Sequence, residues 1–368
     1  MSHSEELGMN QKIAELEILA QYHKALRKDP QLRFLFLELT LKCNENCIHC
    51  GSRCGEVASE ELPVQVYYSV LEKIAKDFAG KLPALIITGG EPLLRKEFFE
   101  IVNYAKKLGF AWGMTSNGTL ITKDVARKLK EAGMTTISVS LDGTQEYHDQ
   151  FRRTPNAFMR AVEGIKNLLE QNFEEVQVTT VVTTKNLPNL EELFAFLVDL
   201  NVDSWRILGM EPIGRALDFP EYALSMEQQL QMLNYIKEKR EAGYEVTYSC
   251  SHYLGLAYEK EVREWYYLCN AGVYAASIMA NGDIGACLDI ERRPETIQGN
   301  VLKDDFTDVW LNRFQIFRTP LSQKCKECQA CPNEKYCEGG PYHSWDYDLN
   351  RPRICMIPDS PYHKKGAL

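Results

Sequence analysis

Residues 39–56 read "LTLKCNENCIHCGSRCGE" and place four cysteines close together, directly after an apolar run. The gaps between them are unequal, at three, two and three residues, for Cys43, Cys47, Cys50 and Cys54. The whole chain has 12 cysteines, and none lies between residues 55 and 249. In a reducing compartment, thiols at this density indicate metal binding or catalysis rather than disulfides. The sequence therefore predicts two cysteine-bearing ends that flank a cysteine-free body.

Composition narrows the class of protein. A chain of 368 residues exceeds the usual size of one core, which favours two domains or one large α/β unit. A net charge of −9 argues against nucleic acid as a partner, because phosphate binding needs clustered Lys and Arg. No apolar run reaches the roughly 18 residues of a membrane helix, and the charged N-terminus lacks a signal peptide's apolar core. We therefore expect no membrane partner and a cytoplasmic location.

The cysteine-free body alternates between strand and helix patterns. Residues 33–41 are rich in strand formers, and residues 62–78 show helical spacing of apolar side chains. Six such strand–helix units follow one another up to about residue 240. Alternation of this kind predicts a parallel sheet covered by helices. The predicted fold class is α/β, a partial (β/α)6 barrel, with an open doubly wound sheet as the alternative.

Polar segments follow the predicted strands in a regular way. "CNENCIHC" comes after the first strand, and "TGGEP", "TSNG", "SLDG" and "GMEPIGRA" come after the second, third, fourth and sixth. In parallel α/β folds the loops at the carboxyl ends of the strands form the active site. We therefore expect these segments to meet at one mouth of the barrel.

The cysteine triplet has an incomplete ligand set. Thiolates at Cys43, Cys47 and Cys50 are one short of the four that tetrahedral zinc or a four-iron cluster takes. A closed, structural zinc site completed by Cys54 is one interpretation. A catalytic centre with one open position is the other.

The CxxxCxxC spacing of Cys43, Cys47 and Cys50, with His49 before the last cysteine, resembles the radical S-adenosylmethionine (SAM) superfamily. This resemblance implies a [4Fe–4S] cluster held by the three cysteines, with SAM on the fourth iron. It also implies reductive cleavage of SAM to a 5′-deoxyadenosyl radical, driven by an external one-electron reductant of the flavodoxin or ferredoxin type. Cys54 lies outside the motif.

Further segments resemble the SAM-binding parts of the same superfamily. "GGEP" matches the segment that binds the methionine amino group, and "PIGRA" at 212–216 matches the loop near the adenine. The implied SAM-binding residues are Gly89, Gly90, Glu91, Pro92, Ser116, Asn117, Ser140 and Arg152. For Ser116, Asn117 and Arg152, solvated turn residues are the alternative.

The C-terminal cysteines resemble a SPASM extension, an auxiliary iron–sulfur domain. The resemblance assigns auxiliary cluster II to Cys328, Cys331, Cys337 and Cys355. The family carries another cysteine after three intervening residues beyond Cys337, where this chain has Pro341. Auxiliary cluster I then has Cys269 and Cys287, with Cys325 and Cys250 as further candidates. A [2Fe–2S] cluster, a non-cysteine ligand or no first cluster all stay open, as does a zinc ribbon built on Cys325, Cys328, Cys331 and Cys337.

The predicted domains are a helical lead at 1–32 that covers the open edge of the barrel, a radical SAM core at 33–240 and a SPASM-like domain at 241–368. The predicted activity is hydrogen abstraction from a peptide or protein, as in ribosomal peptide maturation or formylglycine-type oxidation. The alternatives are side-chain chemistry on haem-pathway tetrapyrroles and a non-catalytic metal scaffold. Asp289 or Tyr274 is the candidate general base.

Overall fold

The computed structural model of the chain describes residues 3–56, 60–249 and 251–363. The main strands are β1 (Phe34–Glu38), β2 (Ala84–Thr88), β3 (Trp112–Ser116), β4 (Met134–Ser140), β5 (Glu175–Val182), β6 (Ser204–Gly209), β7 (Val246–Tyr248), β8 (Ala275–Ile278), β9 (Asp283–Gly285) and β10 (Gly299–Asn300). A separate hairpin pairs β11 (Trp345–Asp346) with β12 (Arg351–Pro352). The helices are α1 (His3–Leu26), α2 (Val64–Asp77), α3 (Phe98–Lys107), α4 (Lys123–Glu131), α5 (Gln145–Phe151), α6 (Ala157–Leu169), α7 (Leu190–Leu200), α8 (Met226–Glu241), α9 (Phe306–Asn312), α10 (Lys326–Gln329) and α11 (Glu334–Cys337).

Strands β1 to β7 lie side by side in chain order, and each pairs parallel with the next. In a doubly wound sheet the order of the strands reverses at a switch point. From β1 to β7 the strand order here follows the chain without a reversal. Because every right-handed crossover then puts its helix on the same face, the sheet curves into a partial barrel. The predicted α/β fold class is confirmed.

Successive side chains of each strand point alternately to the helices outside and to the interior of the barrel. In β5 the buried positions recur every second residue, with Val176, Val178 and Val182 under the helices. On the opposite face, the hydroxyls of Ser138 and Thr179 lie 2.6 Å apart, inside the barrel. The helices present apolar stripes to the strands, as in α3 with Phe98, Ile101, Val102 and Ala105.

The sheet continues past residue 240, where the sequence predicts a domain boundary. Strand β8 pairs parallel with β1, opposite Phe34 to Leu37, and β9 and β10 add antiparallel strands outside it. Residues from the cysteine-bearing C-terminal part therefore share one ten-stranded sheet with the barrel. The segment after β9 turns back to the carboxyl end of β1, where Arg292 contacts Glu38.

Helix α1 spans the gap between the first and last barrel strands. Its Leu19 and Tyr22 line one cavity with Phe34 of β1 and Tyr248 of β7, and its role as a cover of the barrel's open edge stays a prediction. The helix also reaches the C-terminal part, where His23 Nδ1 lies 2.9 Å from Glu338. In the described ranges, no helix is long and apolar enough to cross a membrane.

Candidate active site

The GGEP segment packs directly on the backbone that leads into the cysteine loop. The amide of Gly90 donates to Thr40 O at 2.8 Å, and that of Glu91 donates to Lys42 O at 2.9 Å. A Cβ atom on Gly90 would lie 2.2 Å from Lys42 O and 2.9 Å from Cβ of Cys43. Only glycine permits this approach, so the segments after β1 and β2 form one unit.

Glu91 lies at the centre of a buried hydrogen-bond network. Ser116 Oγ lies 3.0 Å from each oxygen of the Glu91 carboxylate, and the amide of Asn117 donates to it at 2.9 Å. Burial raises the pKa of Glu91 to about 7. The Asn117 side chain donates to Asn44 Oδ1 at 2.8 Å, inside the cysteine loop. Three predicted SAM-binding residues thus meet at this loop, although here they contact one another.

The remaining predicted SAM residues have different surroundings. Arg152 is buried between two protein carboxylates: Nε donates to Asp142 at 2.8 Å, and Nη1 donates to Glu45 at 2.9 Å. Glu45 belongs to the cysteine loop, so Arg152 ties that loop to the segment after β4. Ser140 is the last residue of β4. Pro92 is buried at the start of a short 3-10 helix.

The segment after β6 clamps the cysteine loop from the other side. Arg215 is 1% exposed, and its guanidinium donates to Cys47 O at 2.6 Å and to Cys54 O at 2.8 Å. Gly214 makes this approach sterically allowed, because a Cβ atom there would lie 2.1 Å from Gly51 O. The positive φ of Gly214, at 54°, also favours glycine. The loop is therefore held by two buried arginines.

The three thiols of the triplet influence one another electrostatically. Burial raises the pKa of Cys43 to about 11 and also raises that of Cys47, and the charge of Cys50 adds to both shifts. Cys50 differs, since a hydrogen bond from the Cys54 thiol lowers its pKa to about 6. The thiolate is the form that binds iron. Cys54, outside the motif, thus contacts the triplet as a hydrogen-bond donor.

The donor set of the triplet fits an iron–sulfur cluster. Within residues 3–56, 60–249 and 251–363, no set of three or more His, Cys, Asp or Glu side chains converges closely enough to hold a single metal ion. A four-iron cluster instead spreads its thiolates over separate iron atoms. Cys43, Cys47 and Cys50 form no disulfide within the described ranges.

A cleft of about 270 Å³ opens beside the cysteine loop. It is lined by Gly51, Ser52, Arg53, Ile213, Gly214, Leu217, Leu288, Asp289, Ile290, Glu291, Arg292, His343 and Arg353. The cleft therefore has one wall from the barrel and one from the C-terminal part. Asp289, the predicted general base, lies beside the cysteine loop. A Cβ atom on Gly51 would be 3.7 Å from Asp289 Oδ1.

The prediction of Tyr274 as a general base is wrong. Tyr274 directly precedes β8, whose parallel register with β1 starts at Phe34, and its hydroxyl contacts Tyr22 of α1. It thus lies at the amino ends of the strands, whereas the cysteine loop follows their carboxyl ends.

The C-terminal cysteines form a second cluster of thiols. The four predicted ligands of auxiliary cluster II, Cys328, Cys331, Cys337 and Cys355, line one small cavity of about 30 Å³. Such a shared cavity suits one iron–sulfur cluster. Cys325 lies with this group, since its thiol hydrogen-bonds that of Cys328. Cys325 therefore lies beside a predicted ligand of cluster II, and its candidacy for auxiliary cluster I stays a prediction.

Cys269 and Cys287 lie in a different region. Burial raises the pKa of the Tyr347 phenol, and the nearby thiols of Cys269 and Cys287 raise it further. Cys269 also shares a small cavity with Cys337. Cys250, the remaining candidate ligand, lies outside the described residues. The ligand set of auxiliary cluster I therefore stays a prediction.

Sequence reasoning missed several residues of the site. Arg215 and Glu45 lie inside segments that the motifs marked, but their partners are 168 and 107 residues away in the chain. Glu211 lies inside the segment "GMEPIGRA" but was not singled out there, and His343 carried no motif. The one available signal was the position of Glu211 directly after a barrel strand.

Comparisons with known proteins agree with these observations. Residues 37–197 match the family model of the Radical SAM superfamily, and residues 269–332 match that of the SPASM iron–sulfur cluster-binding domain. The AdoMet-dependent heme synthase of Oleidesulfovibrio alaskensis is 31% identical over 84% of this chain and 82% of its own. The mycofactocin maturase MftC of Mycobacterium tuberculosis is 30% identical over 82% of this chain and 76% of its own.

Solved structures share the fold at lower identity. Streptococcus suis SuiB bound to S-adenosylmethionine gives a TM-score of 0.70 at 18% identity, covering 89% of this chain and 78% of SuiB. The anSMEcpe protein with bound AdoMet gives a TM-score of 0.70 at 18% identity, covering 92% of this chain and 95% of its own.

Proposed function

Because the chain belongs to the radical SAM superfamily and carries a SPASM domain, we propose that this enzyme abstracts a hydrogen atom from a peptide or protein bound in the cleft beside Cys50. When bound, the [4Fe–4S] cluster and SAM supply the 5′-deoxyadenosyl radical, and auxiliary clusters supply one-electron acceptors. Cys43, Cys47 and Cys50 would hold the first cluster. Cys328, Cys331, Cys337 and Cys355 would hold an auxiliary one.

The cleft is the observation that carries the proposal. It begins at Gly51, the residue after Cys50, and its volume of about 270 Å³ is close to the lower limit for small-molecule sites. Its second wall comes from the C-terminal part, so a bound molecule would lie between the triplet and the auxiliary thiols. This position would expose one substrate atom to the site of hydrogen abstraction while excluding bulk water around it.

The chain's own residues hold the cysteine loop in place for this reaction. Arg215 binds two of its carbonyl groups, Arg152 binds Glu45, and Gly90 allows the GGEP segment to pack against it. These contacts tie the loop to the segments after β2, β4 and β6. The substrate class is suggested by the relative named as a mycofactocin maturase, which is 30% identical.

A tetrapyrrole with propionate side chains is the second candidate substrate. The relative named as a heme synthase is 31% identical, and three arginines line the cleft. The guanidinium fork of arginine binds carboxylates well. Arg53 pairs with Asp218 at 2.7 Å and Arg353 pairs with Glu291 at 3.1 Å, so propionates would exchange with these exposed carboxylates.

The test is an anaerobic assay of reconstituted protein. Iron and sulfide are quantified, dithionite and SAM are added, and 5′-deoxyadenosine is measured by mass spectrometry. Iron coproporphyrin III and the short peptides encoded beside the gene are then added in separate reactions. The substrate is the one that increases SAM cleavage and whose own mass changes. The increase identifies the substrate class.

Two variants serve as controls. The triple change of Cys43, Cys47 and Cys50 to Ala is expected to abolish 5′-deoxyadenosine formation. Cys54→Ser keeps a hydrogen-bond donor in the same loop, and this variant is expected to form 5′-deoxyadenosine as the wild type does. Iron-loaded protein that leaves SAM intact would overturn the enzyme proposal in favour of a metal scaffold.

A further inference from the structure

A buried carboxylate joins two histidines where the barrel meets the C-terminal part. Glu211 follows β6, and its Oε1 lies 2.7 Å from Nε2 of His252 and 3.9 Å from Nε2 of His343. The side chains of Glu211, His252 and His343 are only 10%, 4% and 12% exposed. The second oxygen, Oε2, is buried without a hydrogen-bond partner among the described residues. Burying such a group costs free energy, so a functional reason is worth seeking.

The two histidines face different sites. His343 lines the cleft beside the cysteine loop, and His252 lines the cavity of the auxiliary thiols. The Glu211 carboxylate therefore connects the wall of the cleft to the wall of the auxiliary cavity. A group at this position is suited to receive a proton from a molecule in the cleft.

We propose that His343, oriented by Glu211, is the catalytic base that accepts a proton from the substrate in the cleft. This proposal rests on the proposed function, since both use the same cleft. With Nε2 turned towards Glu211, Nδ1 is the ring nitrogen left to take the proton. One X–H bond of the substrate breaks, one N–H bond forms on the imidazole, and the substrate is left as its conjugate base. The step moves a proton and no electron.

The charges around His343 support this role. Burial alone would lower the pKa of His343, but the carboxylates of Glu211 and Asp289 raise it above its usual value. The other polar or charged groups that face it are Ser251, whose hydroxyl lies 3.5 Å from Nε2, the His252 ring, and Glu291, Arg292 and Arg353 across the cleft. An imidazolium at this position is therefore stabilised by carboxylates on both sides. Since the neutral form accepts the proton, the rate is expected to rise with pH through this raised pKa.

A purely structural role for the cluster makes different predictions. In that case the Glu211–histidine contacts only tie the C-terminal part to the barrel. Their loss would lower the stability of the protein and leave the ratio of product to 5′-deoxyadenosine unchanged. The matched control is His23→Gln, because His23 also pairs with a glutamate, at 2.9 Å, but lies on α1.

The first measurement is an NMR titration of the metal-free, full-length protein with labelled histidine. His343→Gln assigns the resonance of His343 by its disappearance. Glu211→Gln, which leaves His343 in place, is expected to lower the proton affinity of His343 at least tenfold, while His23→Gln leaves it unchanged. An unchanged titration in Glu211→Gln would overturn the proposed orientation by Glu211.

The second measurement is the ratio of product to 5′-deoxyadenosine in reconstituted enzyme. It uses iron coproporphyrin III or the neighbouring-gene peptide, whichever increases SAM cleavage. His343→Gln is expected to lower this ratio at least tenfold at pH 7.5, and His23→Gln to keep it. A wild-type ratio in folded His343→Gln would refute the base while leaving the proposed function intact. Absence of SAM cleavage in iron-loaded wild-type enzyme would instead refute the proposed function and this proposal together.

Discussion

Arg215→Ala is expected to destabilise the protein severely, through the cysteine loop alone. The side chain is 1% exposed and makes charge-assisted hydrogen bonds to Cys47 O and Cys54 O, at 2.6 and 2.8 Å. Each such bond contributes about 1.5–3 kcal/mol, so the two together contribute about 3–6 kcal/mol. The third partner, Glu56, is 43% exposed, and that ion pair adds at most about 1 kcal/mol.

The assay is urea denaturation of the metal-free protein, followed by tryptophan fluorescence. The matched control is Arg127→Ala, which removes a surface arginine with two acidic partners, Asp124 and Glu131. Its side chain is 52% exposed, so the expected loss is below about 1 kcal/mol. A loss in Arg215→Ala no greater than this control would refute the reasoning.

The same variant has a second, independent readout. Because both of the main bonds of Arg215 end on backbone carbonyls of the cysteine loop, their loss should release that loop first. We therefore expect reconstituted Arg215→Ala to lose iron from the triplet while keeping iron at the auxiliary thiols. Arg215→Lys keeps the positive charge but loses the forked guanidinium. Its iron content at the triplet should lie between those of the wild type and Arg215→Ala.

Three further perturbations are predicted from the site. Gly90→Ala would place a Cβ atom 2.2 Å from Lys42 O and is expected to weaken SAM binding more than tenfold in equilibrium dialysis, whereas Gly8→Ala, with open space around it, should leave binding unchanged. Burial raises the pKa of Glu91 to about 7, so in the folded state Glu91 keeps a proton that it releases from about pH 4.5 upwards in the unfolded chain. Stability relative to Glu91→Gln should therefore fall by up to about 3 kcal/mol as pH rises from 4.5 to 7, and a pH-independent difference in urea denaturation would contradict this. Cys331→Ala should remove about four irons per chain and leave the triplet's cluster in place, as iron analysis and EPR spectra would show; unchanged iron content would exclude Cys331 as a ligand.

Local patterns were sufficient for the barrel and for the outline of its mouth. The strand–helix alternation is visible in windows of about ten residues, because side-chain burial repeats every 2 residues in strands and every 3.6 in helices. The order of the strands then followed from the preference of consecutive units to lie side by side. The sequence could not place β8 beside β1, since those strands are some 240 residues apart and no periodicity encodes their pairing.

The failure at Tyr274 has the same cause. A tyrosine near the cysteine-bearing C-terminal part was a reasonable base until the direction of β8 was known. Parallel pairing with β1 puts the residue before β8 at the amino end of the barrel, away from the thiols. Asp289 lies at the mouth of the cleft, because the segment after β9 turns back towards the cysteine loop.

The sequence by itself determined which chemistry the chain carries: the spacing of Cys43, Cys47 and Cys50, the GGEP segment and the C-terminal cysteines are all readable within short stretches. The tertiary structure decided which side chains hold those stretches together. The pairing of Arg215 with the cysteine loop, and of Glu211 with His343, joins residues more than 100 positions apart. Contacts of this kind depend on strand order and direction, and these are set by packing of the whole sheet rather than by any local pattern.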